Sequence, residues 1–245
     1  MPHVDVLTME YDLPLKKLLE RRLKEQETDF VLSPCENGVR IRFRSREENA
    51  VFEALTRILC RDIQYFVLAK MTDVLPLSLS EKQEVLTDAL CAARAGEERA
   101  FVTERVKAHL REETVLCLEG FLQFRLQEVV MLWELCVEEA AASVLMRKEY
   151  SELMRVLHSY VQGRPARIQK LRLCIRTDGS CLISDESGIS VEYVDCSPDG
   201  LVSLLVSMAP NQLIIYDQSD GVFSSLTETL RRIFSGRVQV YHADH

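Results

Sequence analysis

The side chains of this chain best suited to chemistry are a carboxylate pair, a set of thiols and two arginine-bearing strands. Asp217 and Asp220 follow the apolar run Leu213–Tyr216. Open α/β sheets hold ligands at the carboxyl ends of their strands, and two carboxylates there could take Mg²⁺ and support phosphoryl transfer. The spacing is D-x-x-D, however, where a common phosphotransferase loop has D-x-D. Asp220 before Gly221 also suits a helix N-cap, so the structural reading comes first. Cys174 and Cys181 share one face of a hairpin if Asp178-Gly179 is its turn, with Cys196 in reach. Three thiolates suit zinc, but no C-x-x-C accompanies them. His242, Asp244 and His245 are a second potential chelating set, and a frayed terminus is the plainer reading. His109 is expected at a boundary and His158 as a satisfied core histidine. No phosphate loop, G-x-G-x-x-G, H-E-x-x-H or E-x-x-H occurs, so no catalytic residue, metal or cofactor is assigned.

Arginine gives a different signal. Arg40, Arg42 and Arg44 alternate with Val39, Ile41 and Phe43, and Lys170, Arg172 and Arg176 oppose Leu171, Leu173 and Ile175. Each pattern is that of a half-buried strand with a basic outer face. If both strands lay in one sheet, they would offer a shared surface to an anion, a nucleic acid or an acidic protein. Two solvated faces, or edge strands protected by charge, are the simpler reading.

The elements that must position these residues fall into three stretches: a mixed region over 1–76, a helical block over 77–164 and a small α/β unit over 165–245, packed as one or two domains. Hydrophobic residues make up 47% of 245, enough for a full core. No apolar run reaches a bilayer-spanning length, and the first ten residues lack a secretory pattern. A cytoplasmic protein without membrane contact is expected, and eight cysteines without C-x-x-C fit reduced core thiols. The net charge of -8 argues against bulk nucleic-acid binding. It is uneven, with nine Lys/Arg against eight Asp/Glu over residues 1–46 and 14 against 20 over residues 47–164.

Periodicity supplies the detail. Leu15 to Glu25 reads as a helix. Phe30–Leu32 and Val39–Phe43 read as strands around a turn at Pro34–Gly38, and Phe52, Leu55, Leu59, Ile63 and Phe66 as one helix face. Ser80 and Gln83 look like a capping box. Two seams follow: Leu118, Leu122, Leu126, Val129, Trp133, Cys136 and Ala140, then Met146, Tyr150, Leu153, Leu157 and Tyr160. Each must bury against something, the expected partners being each other and the C-terminal sheet. Gln169–Arg176 and Cys181–Ser184 form the hairpin, Ile189–Val194 a third strand, and Ser197-Pro198 opens a helix. Leu213–Tyr216, a helix through Leu226, Leu230 and Ile233, and Val238–Tyr241 form a parallel crossover.

The run Glu119-Gly120-Phe121-Leu122-Gln123-Phe124-Arg125-Leu126, followed by Arg147-Lys148-Glu149-Tyr150 and Leu157-His158-Ser159-Tyr160-Val161, resembles the YtxC-like family. The resemblance implies a protein of sporulating cells and brings no catalytic residues. Its charged positions, Glu119, Arg125 and Glu149 with Tyr150, are expected to form a polar network pinning helices, since ions among apolar neighbours need partners. The resulting expectation is an α+β, non-enzymatic interaction or regulatory factor with a protein partner. The alternatives are anion or nucleic-acid binding through the basic faces, and Mg²⁺-dependent phosphoryl transfer at Asp217 and Asp220.

Overall fold

The computed structural model describes residues 2–9, 13–27, 29–94, 98–193 and 197–242. Cys196, Asp244 and His245 lie outside the described residues, as does the side chain of His242. The α+β architecture holds: helices predominate, and the strands form two sheets. The chain divides into two units, Met1–Leu145 and Met146–His245.

In the first unit, strands β1 (His3–Leu7), β2 (Phe30–Cys35), β3 (Gly38–Phe43) and β4 (Val115–Cys117) form a sheet ordered β2-β3-β1-β4. β3 is antiparallel to β1 and β2, and β4 is parallel to β1. The hairpin turn is tighter than expected, because β2 continues through Pro34 and Cys35. Proline is tolerated there since β2 is an edge strand with no outward N–H to satisfy. Gly38 is fixed by space: a Cβ would collide with the Val6 carbonyl oxygen. Val39, Ile41 and Phe43 are buried as their alternation demands, and helix α1 (Leu15–Lys24) has Leu15, Leu19 and Leu23 in the same core.

Helix α2 (Glu48–Arg57) runs through a π turn at Ile58–Ile63 into α3 (Gln64–Asp73). The π turn corrects one expectation. A π turn inserts an extra residue and so rotates the buried face. Beyond Ile63 the inward positions are Gln64, Leu68 and Thr72, while Phe66 is 37% exposed. A second correction concerns α4 (Leu79–Arg94). Its capping box is Ser78 with Glu81: the Ser78 N–H donates to Glu81 Oε2 at 2.7 Å, and the Glu81 N–H donates to Ser78 Oγ at 3.4 Å. Helix α5 (Glu98–Glu112) buries Val102 and Val106. Helices α6 (Leu118–Arg125) and α7 (Gln127–Gly163) are separated at Leu126, so the first seam crosses a break. That seam packs with the N-terminal elements: Leu118, Leu122, Val129, Trp133 and Ala140 share one core with Val51, Leu55 and Ile41.

The second unit takes the end of α7, strands β5 (Ile168–Ile175), β6 (Cys181–Asp185), β7 (Ser190–Tyr193), β8 (Pro210–Asp217) and β9 (Val238–His242), and helices α8 (Pro198–Met208) and α9 (Ser224–Ile233). The sheet order is β7-β6-β5-β8-β9, and both β5–β8 and β8–β9 are parallel. Ser197 caps α8 by accepting from the Gly200 N–H at 3.1 Å. Leu171, Leu173, Ile175, Leu213 and Ile215 share a core with Leu201, Leu205, Leu226 and Leu230. The second seam is corrected here. Met146, Tyr150, Leu153 and Tyr160 are exposed, Leu157 is half-buried, and Met154 and Val161 carry the burial instead.

Candidate interaction groove

The sequence-derived candidates are scattered. Strands β3 and β5 belong to different sheets, so no shared basic sheet face forms. Arg40 donates from Nε and Nη2 to the two Asp5 oxygens, at 2.6 and 2.7 Å, and that bond holds the Asp5 carboxyl below its ordinary pKa. Arg44 lies 3.6 Å from Asp29, and Arg176 donates to Glu192 at 2.7 Å. Arg42 and Arg172 are exposed and Lys170 is half-buried. Glu119 accepts from Thr8 Oγ1 at 2.7 Å and the Met9 N–H at 2.9 Å, tying the end of β1 to α6. Arg125 is not among apolar neighbours; it is exposed at the end of α6. Glu149 is exposed, and the Tyr150 hydroxyl meets Thr229 Oγ1 at 2.8 Å. Glu119 and Arg125 belong to one unit and Glu149 and Tyr150 to the other.

Asp217 is buried, and its oxygens are used internally. It accepts from the Ser219 N–H at 3.0 Å, Ser219 Oγ at 2.5 Å and Thr227 Oγ1 at 3.0 Å. Asp220 is not an N-cap, because α9 starts at Ser224. Cys174 and Cys181 fall on opposite faces, since Cys181 pairs with Ile175 and Cys174 with Leu182. A one-residue change of register reverses a strand's faces, and the loop is one residue longer in effect than an Asp178-Gly179 turn requires. His109 contacts the Val115 carbonyl at 2.9 Å, and His158 the Ile233 carbonyl at 3.0 Å.

The feature that periodicity did not reveal lies on the other side of the buried seam of α7. Phe101 of α5 and Val129, Leu132, Leu135 and Cys136 of α7 line a groove of about 500 Å³. Leu132 and Leu135 are 47% and 53% exposed, and Met131 beside them 62%. The charged groups lining it are Glu98, Glu128 and Glu139, with no lysine or arginine among the described lining residues. The same half of α7, residues 127–145, also carries Glu134 and Glu138 and no basic residue. Burial, and then the nearby Glu98 and Glu139 charges, push the Cys136 thiol pKa up. That leaves it a packing group and not a nucleophile. Behind the groove the fully buried Trp133 donates from Nε1 to Glu98 Oε2 at 2.9 Å. A sequence signal existed in the adjacent apolar residues Leu132 and Leu135 beside Trp133. They sit outside the seam, and every charged residue of the surrounding stretch 127–145 is a glutamate.

Among the described residues no helix is long and apolar enough to cross a membrane, and no cluster of three or more metal-ligating side chains occurs. No solved structure matches the chain. The protein named uncharacterized protein YtxC, of Bacillus subtilis (strain 168), is 24% identical over 179 residues, which cover 67% of this chain and 56% of that one. The chain thus spans little more than half of that relative's length. The profile of the YtxC-like family matches residues 43–198, well over half of the sequence. The match includes α2 to α7 and therefore the whole groove; the chain belongs to the YtxC-like family.

Proposed function

We propose that this protein is a non-enzymatic interaction factor whose first unit docks a basic amphipathic helix of a partner protein. One observation carries the reading: a solvent-open apolar strip, Leu132 and Leu135, in a groove whose charged groups among the described lining residues are all carboxylates. Helix-in-groove recognition uses apolar anchors at three- and four-residue spacing. A rim of one sign selects a partner of the other and speeds encounter. A lysine-rich helix with an apolar face meets both requirements.

Spore formation in the cytoplasm is the setting we propose, supported by the family resemblance of residues 115–165. Cells carrying Leu132→Ser with Leu135→Ser should sporulate poorly and grow normally. Unimpaired sporulation would remove the setting.

The docking itself is tested by calorimetry with a synthetic helix of about 18 leucines and lysines, the leucines at three- and four-residue spacing. Saturable 1:1 binding is expected, weakened at least tenfold by Leu132→Ser with Leu135→Ser, and also by Glu128→Gln with Glu139→Gln. A leucine–glutamate helix should not bind. No binding at low salt, or equal binding to the variants, would sink the proposal. Retention on single-stranded nucleic acid that is lost in Arg42→Ser with Arg172→Ser would favour the nucleic-acid reading instead.

A further inference from the structure

A second concave surface of the first unit has the opposite charge. Over the π turn, Arg57, Arg61, Arg94 and Arg99 converge on a pocket of about 380 Å³, and Glu98 is the single acidic residue among the described lining residues. The sequence gives no hint of it, because the four arginines come from α2, the π turn, the end of α4 and the start of α5.

The four guanidiniums have two roles. Arg57 donates to Glu53 at 3.2 Å and Glu25 at 3.4 Å, and Arg99 is paired with the same Glu53. Gln26, its amide turned to accept, receives both terminal nitrogens of Arg57 at 3.1 and 3.2 Å. These two arginines are therefore held in place and partly neutralised, since they share Glu53 and Glu25 is also engaged by Arg22. Arg61 and Arg94 line the same pocket and have no partner among the described residues.

The floor is rigid as well. Gln64 is buried, and its amide is satisfied on both sides: Nε2 donates to the Cys60 carbonyl at 2.7 Å and Oε1 accepts from Trp133 Nε1 at 3.0 Å. Burial pushes the Cys60 thiol up to about 12, so no thiolate competes with a bound anion. The π turn is anchored from below. Arg22, itself buried, donates to both oxygens of Asp62 at 3.0 Å, and Arg21 donates to Asp62 at 2.9 Å. π turns recur at functional sites.

We propose that this pocket binds a small phosphate compound carrying at least two negative charges, such as a diphosphate group. Two unmatched guanidiniums call for two compensating charges. The planar arginine fork matches phosphate oxygens in pairs, which lysine does not. The volume suits a small organic or inorganic ligand. The protein as a whole is acidic, so attraction comes from the pocket and not from the overall field. This assignment is independent of the groove proposal; either can fail alone.

The test is titration of the full chain with inorganic pyrophosphate at low ionic strength. Trp133 is the chain's single tryptophan and is bonded to both Glu98 and Gln64 of the pocket, so its fluorescence reports occupancy. Saturable binding is expected, tighter than for orthophosphate. Arg61→Ser with Arg94→Ser should weaken it at least tenfold, and Arg172→Ser, an exposed arginine of the second unit, should leave it unchanged. Both replaced pocket side chains are exposed, so the variant should keep the wild-type circular dichroism. Arg61→Lys with Arg94→Lys separates the fork from the charge and should give intermediate affinity. Absence of saturation, equal affinity in the double serine variant, or equal weakening by Arg172→Ser would overturn the site. Tighter binding of citrate than of pyrophosphate would overturn the phosphate assignment.

Discussion

The glutamate groove and the arginine pocket meet at the start of α5, and Glu98 lines both. On the groove side, apolar side chains stand open to solvent under an acidic rim. On the pocket side, polar and charged groups line the cavity and two cations lack partners among the described residues. The two surfaces share a backing, Trp133, and differ almost entirely in which charges the helix ends deliver. Ligand class is thus assigned, in both proposals, to a few rim residues, while the scaffold is common. Positions such as Trp133 should affect both surfaces, and rim positions only one.

The largest expected effect tests the scaffold under the pocket. Arg22→Ala leaves a largely buried Asp62 with only Arg21, and breaking such a pair costs about 3 to 5 kcal/mol. Urea denaturation should show that loss, with pyrophosphate affinity falling more than peptide affinity; a loss under about 1 kcal/mol would mean the π turn is not held this way. Trp133→Phe should cost about 2 to 3 kcal/mol through lost volume and a lost N–H donor to Glu98 and Gln64. It should weaken both ligands by calorimetry. Selective loss of one would break the claim of a shared backing.

Next come the rim exchanges. Arg61→Ser with Arg94→Ser should leave peptide binding within about twofold of wild type, and Leu132→Ser with Leu135→Ser should do the same for pyrophosphate. Each exchanged pair lines one surface and not the other, and changes at separate sites act independently. The smallest effect belongs to Glu98→Gln, which should move the two ligands in opposite directions by about threefold, pyrophosphate tighter and peptide weaker. It also carries a pH signature. Burial raises the Glu98 pKa, opposed by its bond from Trp133. A raised folded-state pKa gives stability that is present in acid and lost as pH rises through it. The glutamine variant should therefore gain on wild type as pH rises above the ordinary glutamate value of about 4.3, with the two converging below it. Parallel urea midpoints would contradict this.

How much was legible beforehand follows from how far apart the deciding residues lie. The alternation of Val39, Ile41 and Phe43 announced β3 and its buried face, and the cap at Ser197 announced α8. The stripe through Leu118, Leu122, Val129 and Trp133 is buried as its spacing required. The family resemblance rests on contiguous motifs of α6 and α7, which lie within the matched residues 43–198. The stripe through Met146, Tyr150, Leu153 and Tyr160 had equally good spacing and is exposed. Periodicity shows that a face is uniform, not that anything covers it. Arg40, Arg42 and Arg44 were visible as a basic face, but the Asp5 that engages Arg40 lies 35 residues away on another strand.

By itself, then, the sequence determined many of the helices and strands, though not β1, β4 or the break at Leu126, together with the buried face of β3 and the family, because these depend on neighbours within a few residues. Tertiary structure decided three further things. The π turn at Ile58–Ile63 rotated the face beyond it, the β5–β6 register put Cys174 and Cys181 on opposite sides, and packing α2, α4, α5 and α7 together built both concave surfaces. Register and convergence are set by contacts between distant segments. Arg57 and Arg94, or Glu98 and Leu135, become neighbours only once the core that holds their helices has formed.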